Sequence, residues 1–573
     1  MSRTHVVAAA LARARGRYGP GAAERKLTLL AVLEALPLKQ PRELAALHDH
    51  ALFLRAFPDD ARVDGAARRA LAGVATRVRG LPARTRADLS DSGVAGSVSR
   101  HTFAAPIAAW LVARFGPDVD IDWRDYDDTS GLDLLLGFVA RRPEQDGLES
   151  ARLTTRVWLR AARGANGRTD LAWLLAELGR ARALATSWPE IYDHVGIPLG
   201  WRLRDGVGTT GRNVSPPARI VYRPGGLRRP PARPKQWIAR PLANIERLDR
   251  GRALGVLDVA RAALTARCRE VYAISHANPD EVYLADLGAG TLLAVIGVRP
   301  ERRLSLESNY GYLLLANGVP IGYGGVTPLY RQANTGINVF EPFRGSESAF
   351  LWTQMLRAFH TLFGSARFVV SPYQFGADND EAIASGAFWF YYQLGFRPVD
   401  ARLRALAARE QRALATGRRR TDPATLRRLG VADLELALSG ARARDRFPER
   451  WLEDLSLRAS EALARAAGGH RERAAESVAA KVARALRTGD RRRWPRPERD
   501  AFVALAPLVS LLNLERLGRR ARRTLVRLMR ANGAAQEAPF VWATARDSSL
   551  FPGLAAIARQ RDSRMRGQPH NAC

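Results

Sequence analysis

The sequence predicts an α/β domain in the middle of the chain, flanked by mainly α-helical N- and C-terminal regions. Two changes in the spacing of apolar residues lead to this prediction. Apolar side chains recur at helical intervals between residues 20 and 200 and again beyond residue 400, as in helices that bury one face. Between residues 291 and 340 they instead form the short runs typical of β-strands. A chain of 573 residues also exceeds what one hydrophobic core can organise, so several domains are expected.

We place the domain boundaries where composition and periodicity change. A helical N-terminal domain is predicted for residues 1–202, and the α/β domain for residues 241–400 with its core at 291–400. Between them, residues 203–240 are rich in proline, glycine and arginine. Proline and glycine at this density exclude a long helix, so we expect a linker or an extended strap. Residues 401–573 are predicted to form a helical, arginine-rich C-terminal region.

The strongest local signal in the central domain is the Asn317-Gly318 pair. Both residues accept positive φ, which a two-residue hairpin turn requires. The pair lies between the apolar runs Tyr312–Leu315 and Val319–Tyr323, so we expect a hairpin with the Thr335–Phe340 strand as its neighbour. The other elements expected here are a strand at Thr291–Val298, a helix containing Ala349–Phe363, a strand at Arg367–Ser371 and a helix at Asp380–Leu394.

The charge balance favours anionic partners. The net charge is +32, and only four of the 89 basic residues are lysines. This preference for arginine is typical of a genome-wide coding bias, but the excess of base over acid is real. We therefore expect phosphates, a nucleotide cofactor, RNA or another polyanion, or anionic lipid as partners. No apolar run reaches the roughly 18 residues that a membrane span needs, so no membrane span is expected.

Neither the cysteines nor the aspartates of the sequence predict a metal site. Cys268 and Cys573 can form neither a disulfide framework nor a zinc set, which favours a reducing cytoplasm. Asp118, Asp120 and Asp122 alternate and would share one face of a strand, where they could hold a cation. We prefer the interpretation that they are counter-charges to nearby arginines, and we expect no bound metal.

Two segments of the central domain carry a family resemblance. Residues 335–349 read TGINVFEPFRGSESA, and residues 388–398 read FWFYYQLGFRP. The first resembles the strand and loop that hold acetyl-coenzyme A in the GNAT superfamily of N-acetyltransferases. The second resembles that family's FYxxLGF ending of the last core helix. The resemblance covers roughly a fifth of the chain. It implies a GNAT-like fold and transfer of an acyl group from coenzyme A to an amine acceptor that is unknown.

The resemblance implies that the loop from Arg344 to Ala349 holds the pyrophosphate of acetyl-coenzyme A or of another acyl-coenzyme A. Such a loop opens a helix and presents unpaired N–H groups at its positive end. Glu347 stands where the family has a glycine, and a carboxylate there opposes pyrophosphate by about 1 kcal/mol or more unless it points outward. The implied cofactor-binding residues are Val339, Arg344, Gly345, Ser346, Ser348, Ala349 and Asn379.

Roles around the reacting thioester follow from the same resemblance. The backbone N–H of Val339 would stabilise the oxyanion of the tetrahedral intermediate. Tyr391 would protonate the departing thiolate, and Glu341 is the nearest candidate for the general base. Glu307 and Asp378 are the next candidates for the base.

The basic flanks leave two further functions open. One is a GNAT-like module that binds RNA or a protein partner without catalysis. The other is an enzyme of the same fold that takes its donor from aminoacyl-tRNA, which would explain both the basic surface and the departure at Glu347. The Arg491–Arg496 cluster around Trp494 could grip phosphates and stack a base, although a solvated loop is the simpler interpretation.

Overall fold

The chain folds around one large mixed sheet that is preceded and followed in sequence by helical regions. The computed structural model describes residues 2–150, 152–181, 187–217, 219–417, 420–442, 445–546 and 550–565. Within these residues the architecture is mixed α/β, as the sequence predicts. No helix in this part of the chain is both long enough and apolar enough to cross a membrane.

The N-terminal region contains two apolar cores. Its first four helices share a core with the central sheet, whereas the later elements enclose their own around Trp201 and Tyr192. The elements of this region are α1 (Arg3–Ala14), α2 (Ala22–Ala35), α3 (Pro41–Ala56), α4 (Ala61–Arg79), α5 (Ala83–Arg86), β1 (Val98–Thr102), α6 (Ala105–Phe115), β2 (Val119–Ile121), α7 (Ser130–Val139), α8 (Gln145–Leu148), α9 (Thr155–Arg163), α10 (Asp170–Arg180), α11 (Trp188–Val195) and β3 (Pro198–Arg202).

A small antiparallel sheet in this region differs from the purely helical prediction. Its strands are ordered β1-β3-β2 and have three to five residues each. Strands this short do not show a period of two in the sequence, so the pattern gave no sign of them. The alternating aspartates flank β2, where Asp122 pairs with Arg100 at 2.9 Å and Asp118 with Arg204 at 2.6 Å. These two carboxylates are therefore counter-charges to arginines.

The central sheet has ten strands in the order β12-β13-β11-β9-β8-β7-β6-β5-β4, with β10 paired to β8 outside this path. Neighbouring strands are antiparallel except β9 and β11, which are parallel. The elements of this region are α12 (Pro234–Ile238), β4 (Ile245–Arg247), α13 (Arg250–Thr265), α14 (Tyr272–Ser275), β5 (Ala277–Gly288), β6 (Thr291–Val298), β7 (Tyr310–Ala316), β8 (Val319–Leu329), β9 (Gln332–Thr335), β10 (Asn338–Val339), α15 (Ser348–Phe363), β11 (Arg367–Val370), α16 (Asp380–Ser385), α17 (Ala387–Gln393), β12 (Arg397–Pro398), α18 (Ala401–Ala415), α19 (Pro423–Leu429) and β13 (Leu434–Ala437).

The predicted hairpin at Asn317-Gly318 is confirmed, and β9 and β10 both pair with its second strand. Asn317 and Gly318 have φ values of 46° and 78°, as a type I′ turn requires. The Asn317 side chain donates to the carbonyl of Ala56 and exchanges hydrogen bonds with the backbone of Val221, all between 2.8 and 3.0 Å. The turn therefore fixes both the N-terminal region and the strap to the sheet.

Two features of the central region differ from the predicted boundaries. The helix predicted over Asp380–Leu394 is interrupted at Gly386, whose φ of 69° ends α16 before α17 begins. The sheet also extends beyond residue 400, because β13 inserts between β11 and β12. β13 has only four residues. A strand this short shows no clear period of two in the sequence, so the sequence did not predict it.

The C-terminal region packs its helices around a separate apolar core that includes Trp451, Phe502 and Phe540. Leu306 and Leu329, which lie in the central region, belong to the same core. The helices of this region are α20 (Glu449–Ala464), α21 (Arg471–Leu486), α22 (Arg496–Val509), α23 (Arg519–Ala531), α24 (Ala538–Arg546) and α25 (Leu550–Met565).

Two buried carboxyl groups join this region to the sheet. The Glu281 side chain accepts the backbone N–H groups of Glu537 and Ala538 at 2.7–2.8 Å and the Tyr310 hydroxyl at 2.9 Å. One guanidinium, that of Arg303, lies 3.3 Å from Glu281 and 3.8 Å from Glu537. Burial raises the pKa of both carboxyl groups, that of Glu537 to about 8. Because Glu281 accepts more donors, we assign the charge to Glu281 and the proton to Glu537.

Because Glu537 is protonated in the folded protein, we expect the free energy of unfolding to fall as pH rises. The unfolded carboxyl group titrates near pH 4.3 and the folded one near pH 8. Between these values unfolding releases a proton, so rising pH favours the unfolded chain by about 1.4 kcal/mol per pH unit. Glu537→Gln imitates the protonated acid and should lose this dependence. Denaturant titrations from pH 5 to pH 9 should therefore show the variant gaining stability over the wild type.

The matched control is Glu472→Gln, which alters an exposed carboxylate of the same region. It should follow the wild-type pH dependence throughout. If Glu537→Gln also keeps the wild-type slope, the folded protein holds Glu537 ionised and the assignment of the proton is wrong.

Candidate active site

Among the described strands, none pairs with β10 on the side away from β8, and we call this position in the central sheet the gap. β9 pairs with β11 in parallel, with Asn334 opposite Val369, whereas β10 pairs with β8 alone among the described strands. Gly336 lies between β9 and β10, and a Cβ atom there would lie 2.5 Å from Cδ of Gln374. β11 ends at Val370, before a position opposite Gly336, and the segment that follows brings Gln374 against Gly336 at one end of the gap.

The predicted oxyanion donor lies on the edge of this gap. Val339 is opposite Gly322 on β8, and the next N–H, that of Phe340, donates to the carbonyl of Ile321 at 3.0 Å. Successive residues of an antiparallel strand direct their N–H groups to opposite sides. The N–H of Val339 therefore points away from β8, toward the gap.

Tyr391 approaches the start of β10 from α17. Its side chain is 2% exposed, and its ring packs edge-on against Trp352 with centroids 5.5 Å apart. The backbone of Ile337, the residue before β10, hydrogen-bonds its hydroxyl. Burial raises the pKa of Tyr391 well above its ordinary value, so the phenol carries its proton at neutral pH. The predicted proton donor is thus close to the predicted oxyanion strand but enclosed by aromatic rings.

The loop predicted to hold pyrophosphate is partly open to solvent. Gly345 has a φ of 76°, and no atom would contact a Cβ placed on it. Arg344 is exposed and forms an ion pair with Glu381 in the first turn of α16. This ion pair brings the loop beside the start of α16. The remaining predicted loop residues, Ser346, Ser348 and Ala349, are half-buried.

Glu347 points into the protein and is neutralised by two arginines of the strap. Its side chain is fully buried and forms ion pairs with Arg223 and Arg228. It also accepts the backbone N–H of Arg228 at 2.7 Å. Arg223 in turn donates to the carbonyl of Ala289, and its own N–H donates to the carbonyl of Pro58. The carboxylate that the sequence places beside pyrophosphate therefore has its charge offset by the strap.

The start of α15 retains the properties of an anion-binding site. Glu347 is the N-cap residue, but its side chain caps no N–H group of the helix. The N–H groups of Ser348, Ala349 and Phe350 precede the first intrahelical bond, in which Leu351 donates to the carbonyl of Glu347. The guanidinium of Arg228 lies 4.0 Å from the ring centroid of Phe350. N–H groups without an intrahelical acceptor, the helix dipole and an arginine that is 23% exposed together suit a phosphate group.

The other predicted residues lie around this site. Glu341 is exposed in the turn that follows β10. Asn379 caps α16, accepting the N–H of Ala382 and donating to the carbonyl of Tyr373, both at 3.0 Å. Both polar ends of the Asn379 amide are thus engaged in the fold. Of the alternative bases, Asp378 is exposed and Glu307 is half-buried.

Arg223 and Arg228 are the residues of the candidate site that the sequence did not reveal. Arginine is frequent throughout the chain, so two more of them in a proline-rich strap carried no signal. One observation could have found them. A glutamate between Phe343 and Phe350, at the start of an apolar helix, requires a buried cation if the loop packs against the protein.

Comparisons with protein-family models, with curated proteins and with solved structures gave no match. Among the described residues, no group of three or more His, Cys, Asp or Glu side chains is arranged to hold a metal ion.

Removing the charge of Glu347 should destabilise the fold. Glu347→Gln keeps the shape of the side chain but leaves Arg223 buried without its counter-charge. Breaking a buried ion pair in this way costs about 3–5 kcal/mol. The measurement is the free energy of unfolding from urea titration. Glu341→Gln is the matched control, because it changes an exposed carboxylate of the same loop and should stay within about 0.5 kcal/mol of the wild type.

A loss below about 1 kcal/mol for Glu347→Gln would contradict this account. It would mean that the strap arginines are solvated and that the carboxylate does not hold them.

Proposed function

We propose that the protein is an acyl-coenzyme A-dependent N-acyltransferase of the GNAT type. The observation that carries the proposal is the unpaired edge of β10 in the central sheet, followed in the chain by the uncapped N-terminus of α15. The order of the strands supports it. The antiparallel strands β4 to β10 are followed by α15 and then by β11, which is parallel to β9, and β13 lies between β11 and β12. The two sequence motifs lie at this gap, one on β10 and its loop and the other on α17.

Donor binding would use the start of α15. The free N–H groups of Ser348 and Ala349 and the guanidinium of Arg228 would hold the pyrophosphate of acetyl-coenzyme A or another acyl-coenzyme A. Arg344 would add a second cation from the exposed side of the loop. The pantetheine arm would then run along the open edge of β10, which places the thioester near Val339.

The chemical step would be attack of a neutral amine on the thioester carbonyl. The N–H of Val339 would stabilise the oxyanion that forms. Collapse of the tetrahedral intermediate breaks the C–S bond, and Tyr391 would donate its proton to the departing thiolate. Glu341 would take the proton that the amine loses. A tyrosine whose pKa is raised by burial is protonated at neutral pH, as this role requires.

The acceptor amine remains unassigned, and the helical flanks would shape its site or bind a partner. We expect the protein to act in the cytoplasm, where its cysteines stay reduced. The second candidate is a GNAT-like module that binds RNA or a protein without catalysis. The observation that favours it is the burial of Tyr391, whose side chain is only 2% exposed.

Acyl-coenzyme A should bind and stabilise the protein. Donor at 100 times its dissociation constant should add about 2.7 kcal/mol to the free energy of unfolding, visible as a rise in melting temperature. Arg344→Ala should weaken acetyl-coenzyme A binding about tenfold in calorimetry, because one charge-assisted contact is lost. Arg409→Ala, which alters an exposed arginine of α18, should leave the affinity unchanged. Stabilisation by RNA but by no acyl-coenzyme A would favour the binding-module alternative.

Tyr391→Phe tests the proton donor directly. The change leaves the ring packing in place, so donor affinity should barely move, while loss of the hydrogen bond to the backbone of Ile337 should lower the free energy of unfolding by about 1–3 kcal/mol. The rate of coenzyme A thiol release with a panel of amines should fall by about 10²–10⁴-fold, the usual contribution of a positioned general acid. Tyr392→Phe is the control, since neighbouring helical residues face about 100° apart. Full turnover by Tyr391→Phe would remove this residue from the mechanism.

A further inference from the structure

A pocket lies at the β12 edge of the sheet and is lined by cationic side chains. Its volume is about 300 Å³, the lower end of the range for small-molecule sites. Lys235, Arg397, Arg404 and Arg446 line it, and the carboxylate in its wall is that of Glu435. The cations come from the strap, from β12, from α18 and from the segment after β13.

Two of these arginines are held in place by backbone carbonyls. Nη1 of Arg397 donates to the carbonyls of Tyr392 and Phe396, both at 2.7 Å. Nη1 of Arg404 donates to the carbonyl of Pro398 at 3.0 Å. Each guanidinium is thus fixed through Nη1, which in Arg404 also donates to the carbonyl of Val399, and within the described residues its other N–H groups have no hydrogen-bond acceptor. Such pre-organisation reduces the entropy that binding would cost.

Lys235 is positioned by the strap helix. Trp237 of α12 donates its indole N–H to the amide oxygen of Gln354 on α15 at 3.1 Å, and Ile238 is fully buried. The Lys235 side chain passes Gly395, where a Cβ atom would lie 3.6 Å from its Cε. The packing of α12 therefore directs one of the four lysines of the chain to this pocket.

The pocket is lined by more positively charged than negatively charged side chains. Glu435 is already paired with Arg367 at 2.5 Å and with Arg446 at 2.7 Å. Within the described parts of the chain, no ion pair joins Lys235, Arg397 or Arg404 to a carboxylate. Three cations around one cavity repel one another unless an anion joins them.

We propose that this pocket binds a small phosphate-bearing molecule of about nucleotide size. Arginine forks and an ammonium group together match the several oxygens and the double charge of a phosphate. None of its lining residues belongs to the loop at 344–349, so the proposal does not depend on acyl-coenzyme A binding there.

The test is calorimetric titration with pyrophosphate and with adenosine 5′-monophosphate. At least one of the two should bind the wild type, and its affinity should fall as salt is raised. Lys235→Gln and Arg404→Gln should each weaken that binding by about tenfold or more. Arg402→Gln, which alters an exposed arginine on the same helix as Arg404, should leave the affinity unchanged. The Lys235 side chain is exposed, so its replacement should not impair folding.

Three results would overturn the proposal. The first is no binding of either probe to the wild type at millimolar concentration. The second is binding that Lys235→Gln and Arg404→Gln leave unchanged. The third is binding of a single-stranded oligonucleotide with no binding of either small phosphate, which would assign the pocket to nucleic acid. Arg344→Ala separates the two proposals, because it should weaken acyl-coenzyme A but not a ligand whose affinity depends on Lys235.

Discussion

The buried carboxylate of Glu347 is the contact on which the arrangement of the candidate site depends. It draws Arg223 and Arg228 of the strap onto the first turn of α15. A buried charge without partners would cost several kcal/mol, so the strap and the helix must dock together. Because the carboxylate is turned toward these arginines, it does not cap α15. The N–H groups at the start of that helix are left for an external anion.

Polar contacts of the same kind fix the other regions to the sheet. The Asn317 side chain links the turn between β7 and β8 to Ala56 and Val221. Glu281 receives the N–H groups that begin α24. Apolar packing alone tolerates many similar arrangements, whereas hydrogen bonds to buried backbone groups allow few. These contacts therefore set how the N-terminal region, the strap and the C-terminal region are placed.

The candidate site combines an open edge with a closed interior. Val339 lies on the open edge of β10, and Arg344 and Gly345 are exposed. Gln374 instead lies against Gly336, and Tyr391 is sealed by Trp352 and its aromatic neighbours. Catalysis at this gap would require the thioester to reach a hydroxyl that the aromatic cluster covers.

The sequence by itself determined the features that depend on neighbours along the chain. The Asn317-Gly318 turn and the helical face of α15 follow from the backbone preferences and spacing of adjacent residues. The small sheet of the N-terminal region and β13 were missed because their strands are too short to show a period. Only the tertiary structure decided the direction of Glu347. Its carboxylate could have faced solvent, pyrophosphate or the strap, and the choice rests on arginines more than a hundred residues away in sequence. An ion pair between residues so far apart in sequence leaves no local sequence pattern. A buried carboxylate nevertheless requires a cationic partner, because an unpaired buried charge is strongly destabilising.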